Sequence, residues 1–311
     1  MAQEYEIRAS APATLMLMGE HAVLFGHRAI VCAVDQRIHI RLKPLASRLV
    51  QIESALGDYE SSLDALHDDK RLQFVLHAVR QLRDRIPSGF NLSIRSDFSH
   101  QVGLGSSAAV TVAVVAALYY WLDTDLDRQQ VFDSARETVL QVQGRGSGAD
   151  IAAATFGGAV AYRAKPVEYH PLKAAPPLSL CYAGYKTPTP EVLRRVASAR
   201  NLSPNLYDEL YRLMGEVSER AIAAFEEQDW DQFGWLMNYY HGLLDSLGVN
   251  DRVMADMVAR MREAEGVLGA KISGSGLGDC AVALGRLEGI DMPYTQIPVT
   301  ITARGVEADY A

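Results

Sequence analysis

The longest apolar stretch of the chain, Ala108 to Leu122, starts immediately after the run Gly103-Leu104-Gly105-Ser106-Ser107. It carries helix-forming residues at helical period, contains Thr111, and is too short for a bilayer span of about 20 residues. It therefore reads as an apolar helix of a soluble fold, entered through a flexible turn. With 311 residues, 49% apolar and 22% charged, the chain has enough material to enclose such a helix in one large domain or two joined lobes. A formal charge of -8 argues against nucleic acid or an anionic membrane as the default partner, although an acidic protein still takes anions through local clusters of amides. Cys32, Cys181 and Cys280 are far apart and set among apolar residues, so they read as core thiols of a reducing compartment rather than a disulfide or metal framework. The opening Met1-Ala-Gln-Glu-Tyr-Glu-Ile has neither the basic nor the apolar region of a secretory signal. The expected location is cytoplasmic.

Strand-like alternation marks Ile30 to Leu42, where Ile38, Ile40 and Leu42 alternate with His39 and Arg41, and again Phe90 to Ser96 and Ala159 to Tyr162. Asp69 to Asp84 and Ser106 to Leu122 have helical period, so the first half mixes α and β. After Lys165-Pro166 the texture changes: Pro171, Pro176, Pro177, Pro188 and Pro190 punctuate a short strand-like Leu178 to Ala183. Two lobes are expected, 1–168 and 169–311. The second holds four helical segments, Glu191 to Arg200, Leu206 to Glu227, Trp230 to Leu247 and Val253 to Ala264, with Asp229 and Asn250 as caps. Strand character resumes at Lys271 to Ser273 and Cys280 to Leu284. Trp230, Trp235 and Phe233 read as helix packing.

Three glycine clusters carry the chemistry. In the first, Gly103 to Ser107, glycines let backbone approach phosphate oxygens, the first helical turn offers unpaired N–H groups at a positive dipole end, and serine hydroxyls reach phosphate or magnesium. Taken alone, the same residues also serve as a helix cap. The run is not a P-loop, because no Gly-Lys-Ser/Thr follows a four-residue gap. A dinucleotide fold would need an apolar strand where Ser96-Asp-Phe-Ser-His-Gln stands. The second cluster, Gly144-Arg-Gly-Ser-Gly-Ala-Asp150 through Gly157-Gly158, places one carboxylate after a flexible turn, where it can orient or deprotonate a hydroxyl or simply cap a helix. The third, Lys271-Ile-Ser-Gly-Ser-Gly-Leu-Gly-Asp-Cys280, is a backbone-rich concavity or a tight turn between strands.

Preceded by Ala11-Pro-Ala-Thr-Leu-Met-Leu-Met-Gly19-Glu20-His21-Ala-Val-Leu-Phe-Gly26, the clusters in this order resemble the GHMP kinase superfamily over nearly the whole chain. The resemblance implies an α+β, two-lobed GHMP kinase fold: an N-terminal mixed α/β lobe with a left-handed βαβ unit, and a ferredoxin-like C-terminal lobe. ATP and acceptor would share the cleft between them. It further implies that Val102, Gly103, Leu104, Gly105, Ser106, Ser107 and Ala108 bind ATP, that Ser107 binds Mg2+, and that Asp150 is the catalytic base. Glu20, His21, Thr189 and Gly276 would meet the acceptor, with Thr187 nearby.

The segment Gly19 to Gly26 is similar to the mevalonate kinases, which implies transfer of the γ-phosphoryl group of ATP to the 5-hydroxyl of mevalonate. Gly146-Ser-Gly-Ala-Asp and Gly278-Asp-Cys are similar to the phosphomevalonate kinases, so 5-phosphomevalonate is the alternative acceptor. Many relatives read Pro-Gly-Lys where this chain has Pro12-Ala13-Thr14, and place a metal-binding glutamate where this chain has Val139. Lys186 and Lys271 are the candidates to replace the lysine. Glu137 is no automatic substitute for the glutamate, since two helical residues rotate a side chain by about 200 degrees. Ser99 and Gln101 also stand where many relatives have Pro and Gly. These departures motivate a rival reading as a non-catalytic metabolite sensor, which retention of Asp150 and both serines opposes. A decarboxylase of the same pathway would lack the Gly-Glu-His motif. The sequence carries no signal for oligomeric state; a homodimer is allowed for.

Overall fold

The computed structural model describes residues 5–99, 102–287 and 290–311, so Met1 to Glu4 of the opening segment and Gln101 before the glycine run lie outside it. The two longest strands, β1 (Ile7–Met18) and β2 (Arg28–Pro44), pair antiparallel and form the spine of the first lobe. The alternation in β2 is realised as expected: Ile38, Ile40 and Leu42 are buried while His39 and Arg41 face solvent. Next come β3 (Leu49–Ser54), β4 (Tyr59–Ser62), helix α1 (Gln73–Leu82) and β5 (Phe90–Ser96). β3 and β5 run parallel with α1 between them in sequence, which makes the βαβ unit; the crossover must pass over a sheet face, and α1 buries Val75, Leu76 and Val79 there.

Helix α2 (Ser106–Asp123) lies in the middle of this lobe, packed by β1, β2, α1, α3 (Arg128–Gln143) and α4 (Ala149–Phe156). Val112 through Leu118 have no exposed surface, so protein rather than lipid surrounds the longest apolar stretch. β6 (Ala159–Ala164) pairs with β2 and β7 (Val167–Leu172), so strand pairing carries the first sheet past residue 168 as far as Leu172.

The second lobe contains β8 (Leu178–Lys186), α5 (Thr189–Arg200), α6 (Pro204–Glu227), α7 (Trp230–Ser246), α8 (Arg252–Glu263), β9 (Gly269–Ser273), β10 (Gly278–Leu284) and β11 (Thr295–Ile297). Its antiparallel sheet has the order β11-β8-β10-β9, the fourth, first, third and second strands of the lobe, which is the ferredoxin-like arrangement. The chain then crosses back: Ile301 bridges Val34, and β12 (Glu307–Tyr310) becomes an edge strand on β1, Ile7 opposite Tyr310.

Two local expectations need correction. Asp229 caps α7 through the amide of Gln232, but α8 is capped by Asp251, whose carboxylate accepts from Val253 and Met254, while the side-chain amide of Asn250 donates to Asp245. Trp230 packs edge-on against Phe225 and Phe233, whereas Trp235 is exposed and leans on Tyr239. The three cysteines are buried, and burial raises all three thiols, Cys181 to about 11, as befits unreactive core residues.

Candidate active site

Asp150 occupies the first turn of α4, which starts after Gly148 in a left-handed conformation. Two residues from opposite sides hold it. The hydroxyl of Thr14, on β1, donates to Asp150 Oδ1 at 2.8 Å. Lys186, at the end of β8, supplies positive charge. Burial pushes the Asp150 carboxyl above the ordinary carboxylate range, and the Thr14 hydrogen bond and Lys186 oppose that push. A carboxylate raised in this way is a better proton acceptor than an exposed one.

The glycine run lies against the same residues. Thr14 donates its backbone N–H to Leu104 at 3.1 Å, and a Cβ at Gly105 would come within 1.9 Å of Thr14 Oγ1. Gly105 is in the left-handed region, φ 62°, and begins α2, so glycine is required here on both counts. Val102 and Leu104 turn their side chains into the core, and their amides donate to Ser99 and Val102. The groups free to meet an anion include the first-turn amides of α2, Ser106 to Ala108, and the serine hydroxyls.

Beside the run, the carboxylate of Asp279 fills the space a Cβ at Gly103 would need. Its Oδ2 is 3.0 Å from Lys186 Nζ, while Oδ1 is buried with no hydrogen-bond partner among the described residues. Of the two lysines named from sequence, Lys186 is therefore the one at the site. Lys271 is fully buried on β9 and paired with Glu20.

Glu20, expected to meet the acceptor, lines the smaller of the two cavities at the site, while its Oε1 is paired with Lys271. Burial pushes Glu20 up and Lys271 down, each toward its neutral form, and their mutual attraction opposes both shifts. The main-chain carbonyl of Glu20 accepts from Tyr240 at 2.8 Å. His21, held at φ 61°, has Nε2 at 2.9 Å from the carbonyl of Ser275. A carbonyl only accepts, so Nε2 carries the proton; burial lowers the ring to about 4, so it is neutral and offers Nδ1 as an acceptor. Thr189 Oγ1 lies 3.4 Å from Ser275 Oγ, and Thr187 donates to Leu277 at 2.6 Å. Gly276 packs against Val249, leaving Gly274 and Ser275 to face the cavity.

These residues enclose two cavities. One, of about 200 Å3, is lined by Asp150, His21, Thr189, Ser275 and Ser107. The other, of about 670 Å3, is walled by Ile38, Leu56, Phe74, Ile94, Phe98 and Val110, and also reaches Ser106 and Ser107. A large apolar chamber suits a flat heterocycle, a small polar one suits a hydroxyl-bearing acceptor, and Ser107 belongs to both.

The sequence has the matching family signature: the GHMP kinases N terminal domain matches residues 73–158, and the GHMP kinases C terminal matches residues 221–289. The mevalonate kinase of Pyrococcus furiosus is 32% identical, over 90% of this chain and 89% of its own. The chain belongs to the GHMP kinase family. As a GHMP kinase it is an ATP-using phosphotransferase with an alcohol acceptor, and solved members share its two-lobed fold. Methanococcus jannaschii mevalonate kinase matches with a TM-score of 0.80 at 22% identity, covering 96% of this chain and 99% of that one. L. major mevalonate kinase, solved in complex with R-mevalonate, matches with a TM-score of 0.74 at 25% identity, covering 90% and 87%.

Several residues of this GHMP kinase site escape a motif reading. Val139 is buried in α3 and Glu137 points to Gln141, but Gln143, one turn beyond Val139, lines the acceptor cavity. That spacing of four was the available signal. The apolar chamber left none, because its walls come from β2, β5, α1, α2 and the turn after β3.

Proposed function

We propose that this GHMP kinase is a mevalonate kinase: it transfers the γ-phosphoryl group of ATP to the 5-hydroxyl of mevalonate. The observation that carries the reading is Ser107, common to a chamber sized for a nucleoside and a polar cavity holding Asp150. The base and sugar occupy the apolar chamber. The phosphates pass over the start of α2, where the amides of Ser106 to Ala108 and the hydroxyl of Ser107 receive them. Asp150 accepts the proton of the acceptor hydroxyl. Lys186, steadied by Asp279, supplies the positive charge that a lysine at position 14 gives to other members.

The donor set also fits Mg2+. Ser107, Asp150 and the unpartnered Oδ1 of Asp279 are hard oxygen ligands, and no group of three or more His, Cys, Asp or Glu gathers among the described residues. That suits an ion that takes most of its ligands from phosphates and water. Bound there, Mg2+ would neutralise phosphate charge. His21 and Thr189 orient the acceptor.

Mevalonate is favoured over 5-phosphomevalonate because relatives at 32% identity over nine-tenths of the chain are mevalonate kinases. ADP release assayed with mevalonate, 5-phosphomevalonate, homoserine and galactose tests this. Turnover of mevalonate is expected, reduced about 100- to 10,000-fold in Asp150→Asn with ATP binding retained. Turnover of 5-phosphomevalonate alone, or of no acceptor despite ATP binding, overturns the reading.

A further inference from the structure

Arg145 is the only cation among the described residues lining the acceptor cavity. The other ionisable groups there are Asp150 and Glu20, plus His21, which is neutral. Lys271 is spent on Glu20 within the protein, and Lys186 is paired with Asp279 beside the glycine run. An anionic acceptor entering such a cavity meets carboxylates and needs a counter-charge.

Arg145 sits in the turn between α3 and α4, flanked by Gly144 and Gly146, and belongs to the first lobe. Its Nη2 donates at 2.9 Å to the carbonyl of Pro190, in the first turn of α5 in the other lobe. Both residues line the cavity, so the bond joins the two lobes at its wall while the Arg145 side chain stays open to solvent. Arg145 has no carboxylate partner among the described residues, so its remaining N–H groups are uncommitted. It also borders a second chamber of about 140 Å3, which shares His21, Leu24 and Leu193 with the first and adds Phe25, Arg200 and Tyr211. Arg145 thus stands where the two chambers join, whereas Asp150 lines only the first.

Resting on the function proposed above, we infer that Arg145 holds the carboxylate of the hydroxy-acid acceptor, and makes the site selective for acceptors with an anionic end remote from the reacting hydroxyl. A guanidinium matches a carboxylate with two parallel hydrogen bonds, so the contact fixes orientation as well as charge. It is equally available to a phosphorylated acceptor, whose phosphate would lie at the Asp150 end.

Steady-state kinetics of wild type, Arg145→Gln and Arg145→Lys test the subsite, comparing the hydroxy acid with its neutral analogue, in which the carboxylate is reduced to an alcohol. Arg145→Gln should raise KM for the acid about 10- to 100-fold, leave KM for ATP and the melting temperature unchanged, and abolish the preference for acid over alcohol. Arg145→Lys should restore part of that preference. The comparison is run on whichever acid the wild-type enzyme accepts, so an unexpected acceptor overturns the proposed function alone. An Arg145→Gln enzyme that keeps the wild-type acid preference overturns the subsite.

Discussion

The hydroxyl of Thr14 donates to Asp150 across 2.8 Å, joining β1 to the start of α4 at the position where many GHMP kinases carry a lysine. A neutral donor still favours the ionised carboxylate, but by less than a cation would. Thr14→Val keeps the shape beside Gly105 and removes the donor. The Asp150 carboxyl then rises further, and because the base acts only when ionised, the acid limb of the kcat profile moves to higher pH. A displacement of roughly one unit is expected, with activity recovering as pH increases.

Lys186 lies between two carboxylates and is about one-third exposed. In Lys186→Met the charge near the transferring group disappears, and kcat should fall about 100-fold. The same change leaves Asp279 buried without its partner, which should cost about 1–2 kcal/mol in a urea melt. Adding Asp279→Asn should restore most of that stability and none of the kcat. Recovery of kcat in the double variant would remove Lys186 from the chemistry.

Glu20 and Lys271 form an ion pair with almost no exposed surface. Lys271→Met alone should destabilise the protein by about 3–5 kcal/mol, because a buried carboxylate loses its counter-charge. Lys271→Met with Glu20→Leu should recover most of the loss, and urea denaturation of the set measures the difference. Since the pair lies behind Gly274 and His21 rather than at the reacting atoms, KM for acceptor should move more than kcat.

Two buried histidines make stability depend on pH. Burial lowers His21 and His241 from 6.5 to about 4, the latter helped by the charges of Arg262 and Lys271 and opposed by Asp245. Their folded values lie below their unfolded ones, so the stability they allow is fully present above pH 6.5 and is lost as pH falls toward 4. The loss is at most about 3 kcal/mol for each. Melting temperatures should drop across that window, and less steeply in His241→Gln.

The sequence motifs name the glycine run, Asp150, His21 and Thr189; Asp150, His21 and Thr189 line the smaller cavity, and of the run only Ser106 and Ser107 reach a cavity wall. Each is read from a local signal, a flexible turn or a short polar string whose chemistry does not depend on distant partners. Whatever depends on tertiary pairing is hidden. Lys186 and Lys271 look alike along the chain, yet one ends β8 in the cleft and the other is interred on β9 against a glutamate 251 positions away. Nothing near Glu20 in sequence announces its pairing with Lys271. The apolar chamber is invisible for the same reason. The order of the second sheet follows from strands spread over more than a hundred residues, so it too is expected only by resemblance.

The chain passes between the lobes twice, outward after β7 and back before Ile301, and ends as a strand of the sheet it began. A lobe tied at both ends, and sharing a core in which Leu15, Leu17 and Ile30 join Met214, Phe233 and Tyr240, has little freedom to turn against its neighbour. Asp150 and Arg145 belong to one side of the seam between them, Lys186 and Thr189 to the other. The double tie therefore holds residues from opposite lobes in one register, as a seam sewn at both ends holds its two edges.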